Sequence, residues 1–324
     1  MKPTVLLITH SADEFGVDRV HAALERRGAK PLRVNTDQFP TSMELAFRVD
    51  GSGSSQWLEV EGQHLDLATV RACWQRKLWL AALPPELPED QSRAIQRECM
   101  AVWTGIIRGM EHARWVNGVD AERRAEDKLW QLRAAQQGGL ALPPTRITNS
   151  PDEVRAFYAE QQGRIITKMI TPYQQSMDGG GAFVHTSRVG PEDLEALEGL
   201  WLCPMIFQAE IPKRVEHRVA VVGGRCLVGT IRSQQSAQGA VDWRQSEAGA
   251  WAWEVGELPP VVAEKLVALL RVLHIDSGMV DLIENLEGEY VFLEVNPSGE
   301  WGMMERDAGL PISEALADTL LERP

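Results

Sequence analysis

The sequence predicts an α/β protein that becomes α+β towards its C-terminus, with an open, mostly parallel sheet first and two smaller mixed subdomains after it. Three features support this. The chain opens as strand, helix, strand, the pattern of a parallel sheet. Beyond Ser150 short strands alternate with helices, and a Gly-Gly turn sits among them. Its 324 residues, 44% apolar and 24% charged, have the composition of a folded soluble protein but exceed one ordinary core. We expect three units, at 1–116, 117–203 and 204–324.

Residues 3–9 (PTVLLIT) read as a buried strand. Residues 14–27 place Val17, Val20 and Leu24 at helical spacing, with Gly28 as C-cap, and 31–36 (PLRVNT) return as a second strand. Neither G-x-G-x-x-G nor G-x-x-x-x-G-K-[ST] follows the first strand, which removes the main support for a dinucleotide fold or a P-loop. Residues 45–60 alternate as a hairpin, and 84–90 (PPELPED) is a break. A long helix is expected over 90–113, with Ile95, Cys99, Val102, Trp103, Ile106 and Met110 as its apolar stripe. A second is expected over 120–137, ended by Gly138 and Gly139. In "TNSPDEV", Ser150 is the N-cap, Pro151 the first helical residue and Glu153 the partner in a capping box.

Strands follow at 164–170, 182–186, 204–211, 217–222 and 225–232, with Gly223-Gly224 turning the last pair. A helix at 260–273, strands at 278–284 and 289–295 joined by "NLEGE", and a helix at 311–321 begun by Pro311 complete the reading. There is no internal repeat.

A net charge of −13 with no basic face argues against a nucleic-acid partner. No run approaches the roughly 18 apolar residues of a membrane span. The first residues read as a strand, not a signal peptide, and the four scattered cysteines fit free thiols in a reducing cytoplasm.

The segment "VFLEVNPSGEW" (291–301) starts as a strand, Val291, Leu293 and Val295 alternating with Phe292 and Glu294, and then ends in polar residues. A buried charge there must be paired or bound to metal. If the strands at 278–284 and 289–295 are antiparallel neighbours, Asp281 comes near Glu294, with Asn296 on the same face. Two carboxylates and a carboxamide form a hard-oxygen set suited to Mg²⁺ and poorly suited to zinc. The alternative is a solvated hairpin end with incidental acids. Lys168, in the apolar strand "IITKMI", and the glycines of "SMDGGGAF" suggest a phosphate site, against the plainer reading of a snorkelling lysine and a flexible tip. Lys128 adds a second cation. The backbone of Gln208–Ile211 ends a strand where an adenine edge can be read. Glu216 and Arg218 alternate onto one face of the next strand, where they are either paired, ligand-facing or simply solvated.

In this order, Lys128, Lys168, a glycine-rich loop, Gln208–Ile211, Glu216-His217-Arg218 and Asp281/Glu294/Asn296 resemble the ATP-grasp ligases. More narrowly, "FQAEIPKRVEHRVAVVGG", "DWR" (242–244) and "EYVFLEVNPSGEW" resemble the graspetide synthetases, the microviridin- and plesiocin-type peptide macrocyclases. The similarity covers roughly 117–301, and "RVNTDQFP" and "CWQRKLW" near the N-terminus share it. Two departures are Ala209 where Glu is common and "NPSGEW" where "NPNGQW" is common.

The resemblance implies an ATP-grasp fold in which two α+β subdomains sandwich ATP. It implies that Lys128 and Lys168 bind the phosphates, that Gln208, Ala209, Glu210 and Ile211 bracket adenine, and that Glu216 also contacts the nucleotide. Asp281, Glu294 and Asn296 would hold Mg²⁺. Arg218 and Arg232 would face the transferred phosphate or substrate carboxylate, and Arg244 would lie near the core peptide. The implied activity is ATP-dependent ring closure in a precursor peptide by a cytoplasmic homodimer, through acyl phosphates attacked by Ser, Thr or Lys. We place leader recognition at 178–201. The rivals are another ATP-grasp carboxylate–amine ligase, such as one adding glutamate to a protein tail, and an inactive peptide-binding relative.

Overall fold

The computed structural model describes residues 2–60, 62–171, 186–235 and 252–322. Its opening unit is β1 (Thr4–Thr9), α1 (Gly16–Arg26) and β2 (Lys30–Asn35), with β1 and β2 parallel. Gly28 adopts φ +78°, the left-handed turn that lets the chain leave α1 and enter β2 at once. The predicted hairpin is a three-stranded antiparallel sheet of β3 (Leu45–Asp50), β4 (Gly53–Val60) and β5 (Gln63–Asp66). Next come β6 (Val70–Gln75), α2 (Glu89–Arg108) and β7 (Arg114–Val116). β6 and β7 complete a parallel sheet ordered β2-β1-β6-β7.

This sheet is covered on both faces, which is why its strands read as continuous apolar runs. On one side Leu6, Ile8 and Val34 meet Trp103, Ile106, Ile107 and Met110 from the α2 region. Val102 departs from the predicted stripe and is 39% exposed. On the other side Val5, Leu7, Val17 and Leu24 meet residues from the far end of the chain.

The helix expected over 120–137 is broken in two, α3 (Val119–Ala125) and α4 (Lys128–Gln137). Asp127 causes the break: its carboxylate caps α4 by accepting from the backbone N–H groups of Leu129 at 2.9 Å and Trp130 at 3.0 Å. Lys128 therefore stands on the first turn of a new helix.

β8 (Thr145–Thr148), α5 (Pro151–Glu160), β9 (Ile165–Lys168), β10 (Ser187–Arg188), α6 (Pro191–Glu195) and β11 (Met205–Ala209) form the middle of the chain. The Ser150 hydroxyl caps α5 through the Glu153 N–H at 3.4 Å. The four strands make an antiparallel sheet ordered β10-β9-β11-β8, backed by Val154, Phe157, Leu197 and Leu200. Of the strand expected at 182–186, residues 182–185 lie outside the described residues.

β12 (Lys213–Val222) and β13 (Arg225–Ile231) form the predicted hairpin, both turn glycines having positive φ. Then follow β14 (Glu254–Val255), α7 (Pro260–Val272), β15 (Ser277–Asn285), β16 (Tyr290–Asn296), α8 (Gly302–Ala308) and α9 (Ile312–Leu321). The last sheet is antiparallel, ordered β14-β13-β12-β15-β16. One face, with Val219, Val280, Leu282, Phe292 and Val295, packs on α4 and α7 residues. The opposite face contributes Ala220, Val222, Met279 and Ile231 to the core that also holds Val5, Leu7 and Trp74 of the parallel sheet. Residues near the two chain ends thus share one core, and Asn117 ties them further, donating to Ser277 O at 2.8 Å and accepting from the Asp276 and Ser277 N–H groups. Among the described residues no helix is long and apolar enough to cross a membrane.

Candidate active site

β12, β15 and β16 place three charged side chains in one row. Arg218 is opposite Asp281, and Asp281 is opposite Glu294. Directly paired residues project to the same face, so the row follows from register alone. A one-residue bulge at Leu293 sets that register. Asp281 pairs with Glu294 while its neighbour Leu282 pairs with Phe292. The bulge corrects the simple alternation read from the sequence: Val291 and Phe292 are both buried, and Leu293 is half-buried.

Arg218 is 5% exposed, and its Nη1 donates to both oxygens of Asp281, at 2.8 and 3.1 Å. Beside it, the Lys128 ammonium lies 2.8 Å from Glu294 Oε2, 3.4 Å from Asn296 Oδ1 and 3.4 Å from the Val295 carbonyl. Asn296 Nδ2 in turn donates to Glu294 Oε1 at 3.1 Å. Register brings Asp281 beside Glu294, and Asn296 bonds Glu294; of the three, Glu294 and Asn296 meet the Lys128 ammonium, while Asp281 pairs with Arg218. Among the described residues no three His, Cys, Asp or Glu side chains form a metal cluster.

One residue the sequence reading passed over keeps this arrangement in place. Gln131 is fully buried on α4, and its amide treats edge strand β16 as a neighbouring strand would. Its Nε2 donates to Val295 O at 2.7 Å and to Ala125 O at 2.5 Å, while its Oε1 accepts from Val295 N at 2.9 Å. Lys128, one turn before Gln131 on α4, is thereby held beside the Glu294 carboxylate it meets. A glutamine in a helix gives no local sign of such a distant partner.

Glu216 lies two residues before Arg218 on the same face. It accepts from Lys213 Nζ at 2.7 Å and from the Ser233 hydroxyl. Lys213 is only 9% exposed, so the sequence reading missed a buried cation here. Arg232 follows β13 directly and is exposed. His217 points to the opposite face, where burial and then the Arg214 charge lower its pKa to about 4, so it is neutral at pH 7. Lys168 ends β9 rather than sitting mid-strand, half-buried and opposite Ile206 of β11. Gln208 is buried with its Nε2 on Thr145 Oγ1 at 3.0 Å. The N–H groups of Ala209 and Glu210 are already taken by Pro144 O and Arg164 O, and the Glu210 carboxylate accepts from Arg188 at 2.6 Å. Ile211 follows directly. Arg244 with "DWR", and the glycines of "SMDGGGAF", lie outside the described residues.

Residues 4–123 match the family model of the MvdD pre-ATP grasp domain. The macrocyclase MdnB from Microcystis aeruginosa MRC is 40% identical, with 99% of this chain and 100% of that one aligned at a TM-score of 0.85. The chain belongs to the ATP-grasp peptide macrocyclase family. Macrocyclase MdnC of the same organism, solved with its precursor peptide MdnA, is 31% identical over 98% of this chain and 99% of that one, with a TM-score of 0.88. A RiPP-associated ATP-grasp ligase of Chryseobacterium gregarium, solved with ADP and a leader and core peptide, is 30% identical over 98% of this chain and 96% of that one, TM-score 0.90. A more distant curated relative is a probable alpha-L-glutamate ligase of Thioalkalivibrio sulfidiphilus. It is 26% identical over 61% of this chain, and the match spans 64% of that relative's length. The macrocyclase is thus an ATP-dependent ligase with the ATP-grasp fold predicted from its sequence.

Proposed function

We propose that this macrocyclase closes rings in a ribosomally made precursor peptide. The observation that carries the reading is the row Arg218–Asp281–Glu294 with Asn296 and Lys128 gathered at its end, on a chain that matches MdnB along its full length. Nucleotide lies between the antiparallel sheets of the middle and C-terminal units, with Lys128 and Lys168 at its phosphates. Adenine is read by the carbonyls of the 208–211 segment and by the Ile211 N–H, since the two preceding donors are engaged. Asp281, Glu294 and Asn296 suit Mg²⁺, because a carboxylate and a carboxamide that already hold an ammonium, with a second carboxylate opposite, can take a hard divalent cation. Bound there, Mg²⁺ would offset phosphate charge.

The chain's own residues do the remainder. Arg218, a planar donor held against Asp281, orients the substrate carboxylate and the incoming phosphoryl group, and Arg232 and Arg244 flank the peptide. The γ-phosphoryl passes from ATP to an Asp or Glu side chain, leaving ADP. A Ser or Thr hydroxyl, or a Lys amine, then attacks that carbonyl carbon, losing its proton as phosphate departs with the C–O bonding pair. An ester or amide results, and no further nucleophile is needed. The leader docks on the middle unit. Of the stretch 178–201, residues 178–185 lie outside the described residues; Leu197 is a core residue at 9% exposure, whereas Trp201 and, just beyond the stretch, Leu202 are 65% and 69% exposed and are the apolar contacts on offer. The active species is a cytoplasmic homodimer.

Mass spectrometry of a precursor incubated with the enzyme, ATP and Mg²⁺ tests this. Loss of one water per linkage is expected. A second reading, glutamate addition to a protein tail, is favoured by the glutamate-ligase relatives and predicts a gain of glutamate instead.

A further inference from the structure

The motif "CWQRKLW" places Arg76 one residue beyond β6, at the C-terminal edge of the parallel sheet, and the site as described so far makes no use of it. Arg76 is 2% exposed. Its guanidinium reaches across to the loop that follows the Asn296 carboxamide. Nη1 donates to Ser298 O and, at 3.3 Å, to Gly299 O, while Nη2 donates to Glu300 Oε2 at 2.7 Å. Lys77 holds the other oxygen of the same carboxylate. Asp13, in the connection between β1 and α1, sits 3.6 Å from Arg76 Nε and balances its charge.

Glu300 is gripped at both ends. Its side chain belongs to Arg76 and Lys77, and its backbone carbonyl accepts from Arg218 Nε at 2.9 Å. Gly299 passes so close that an added Cβ would stand 3.0 Å from Arg218 Nη2 and 2.8 Å from Met279. The loop is therefore the surface against which the Arg218 guanidinium is set, and the N-terminal sheet fixes that loop.

We propose that Arg76 is a positioning residue for the reaction, aligning Arg218 through Ser298, Gly299 and Glu300 so that the N-terminal sheet is part of the catalytic apparatus. This rests on the role given to Arg218 above. A buried side chain that orients a functional group commonly changes rate by about tenfold to a hundredfold when lost. A lysine at 76 keeps the charge that Asp13 and Glu300 require but cannot span three acceptors.

Arg76→Lys, Arg218→Lys and the double variant form the test, with Glu300→Gln as a variant whose exposed side chain spares the fold. Hydrogen exchange of the 296–301 segment is measured on each without substrate, followed by ADP formation with precursor and binding of ADP by calorimetry. We expect Arg76→Lys and Glu300→Gln to speed exchange in that segment. Arg76→Lys should lower kcat about tenfold or more with ADP affinity within about twofold of wild type, and the double variant should be no slower than Arg218→Lys alone. Unchanged exchange, or losses that multiply in the double variant, would overturn the proposal. Exchange needs no peptide, so a wild-type enzyme that makes no linkage counts against the macrocyclase reading, and the clamp stands or falls on the loop.

Discussion

Replacing Glu122 by glutamine should stabilise the protein above neutral pH and leave it unchanged in acid. Glu122 sits on α3 with 7% exposure and accepts from Gln75 Nε2 at 2.5 Å and from the Ser298 hydroxyl. Burial raises its pKa from 4.5 to about 7, against the opposing pull of those two hydrogen bonds and of Arg76. In the unfolded chain the carboxyl ionises near 4.5, whereas the folded chain keeps its proton to about 7. The folded state therefore binds more protons between these values, and its stability falls as pH rises through that window. At roughly 1.4 kcal/mol per pKa unit, the full difference is on the order of 3 kcal/mol. A glutamine has the shape of the protonated carboxyl, can accept from Gln75 and donate to Ser298, and has no charge to bury. Urea unfolding of wild type and Glu122→Gln at several pH values from 5 to 8 is the assay. The stabilities should differ by less than about 1 kcal/mol near pH 5 and diverge to about 3 kcal/mol in favour of the variant at pH 8. A pH-independent difference, or a wild type that is more stable at pH 8, would refute the reasoning.

Other outcomes follow from the same geometry. Glu294→Ala should abolish linkage formation while changing stability little, because its side chain is half-buried at a strand end; cyclisation at near wild-type rate in Mg²⁺ would sink the metal assignment. Lys168→Met exchanges a point charge for a similar volume at the end of β9, so the melting temperature should hold while ATP turnover or affinity falls steeply, as calorimetry and ADP release would register. Trp201→Ala with Leu202→Ser should raise KM for a leader-bearing precursor severalfold and leave turnover of a leaderless core peptide alone. An equal effect on both peptides would move the leader elsewhere.

The local patterns in this chain were readable because local physics fixes them. An apolar run, a helical stripe and Gly28 identify the opening unit, and paired glycines at positive φ identify the β12–β13 turn. Asp281, Glu294 and Asn296 stood out because carboxylates and a carboxamide at the ends of apolar strands need a partner, and antiparallel pairing was enough to bring them together. The break before Lys128 was missed because an Asp-Lys pair suits a helix interior as well as a cap, and only the hydrogen bonds from Asp127 decide between them. The bulge at Leu293 has no composition of its own. Gln131, Glu122 and Arg76 were invisible for a different reason. Each acts on backbone or side chains more than 150 residues away in sequence, as the separations of 164, 176 and 222 show, and nothing beside them in the chain announces that partner. Lys213 went unremarked because a lysine opening a strand looks solvated, whereas here it is buried against Glu216.

The most direct test of the whole account counts ADP against linkages. With a precursor peptide, ATP and Mg²⁺, the account predicts one ADP and one phosphate released for every water lost from the peptide, with no glutamate required and none incorporated. ADP released without water loss, or a peptide that gains mass from added glutamate, would contradict it.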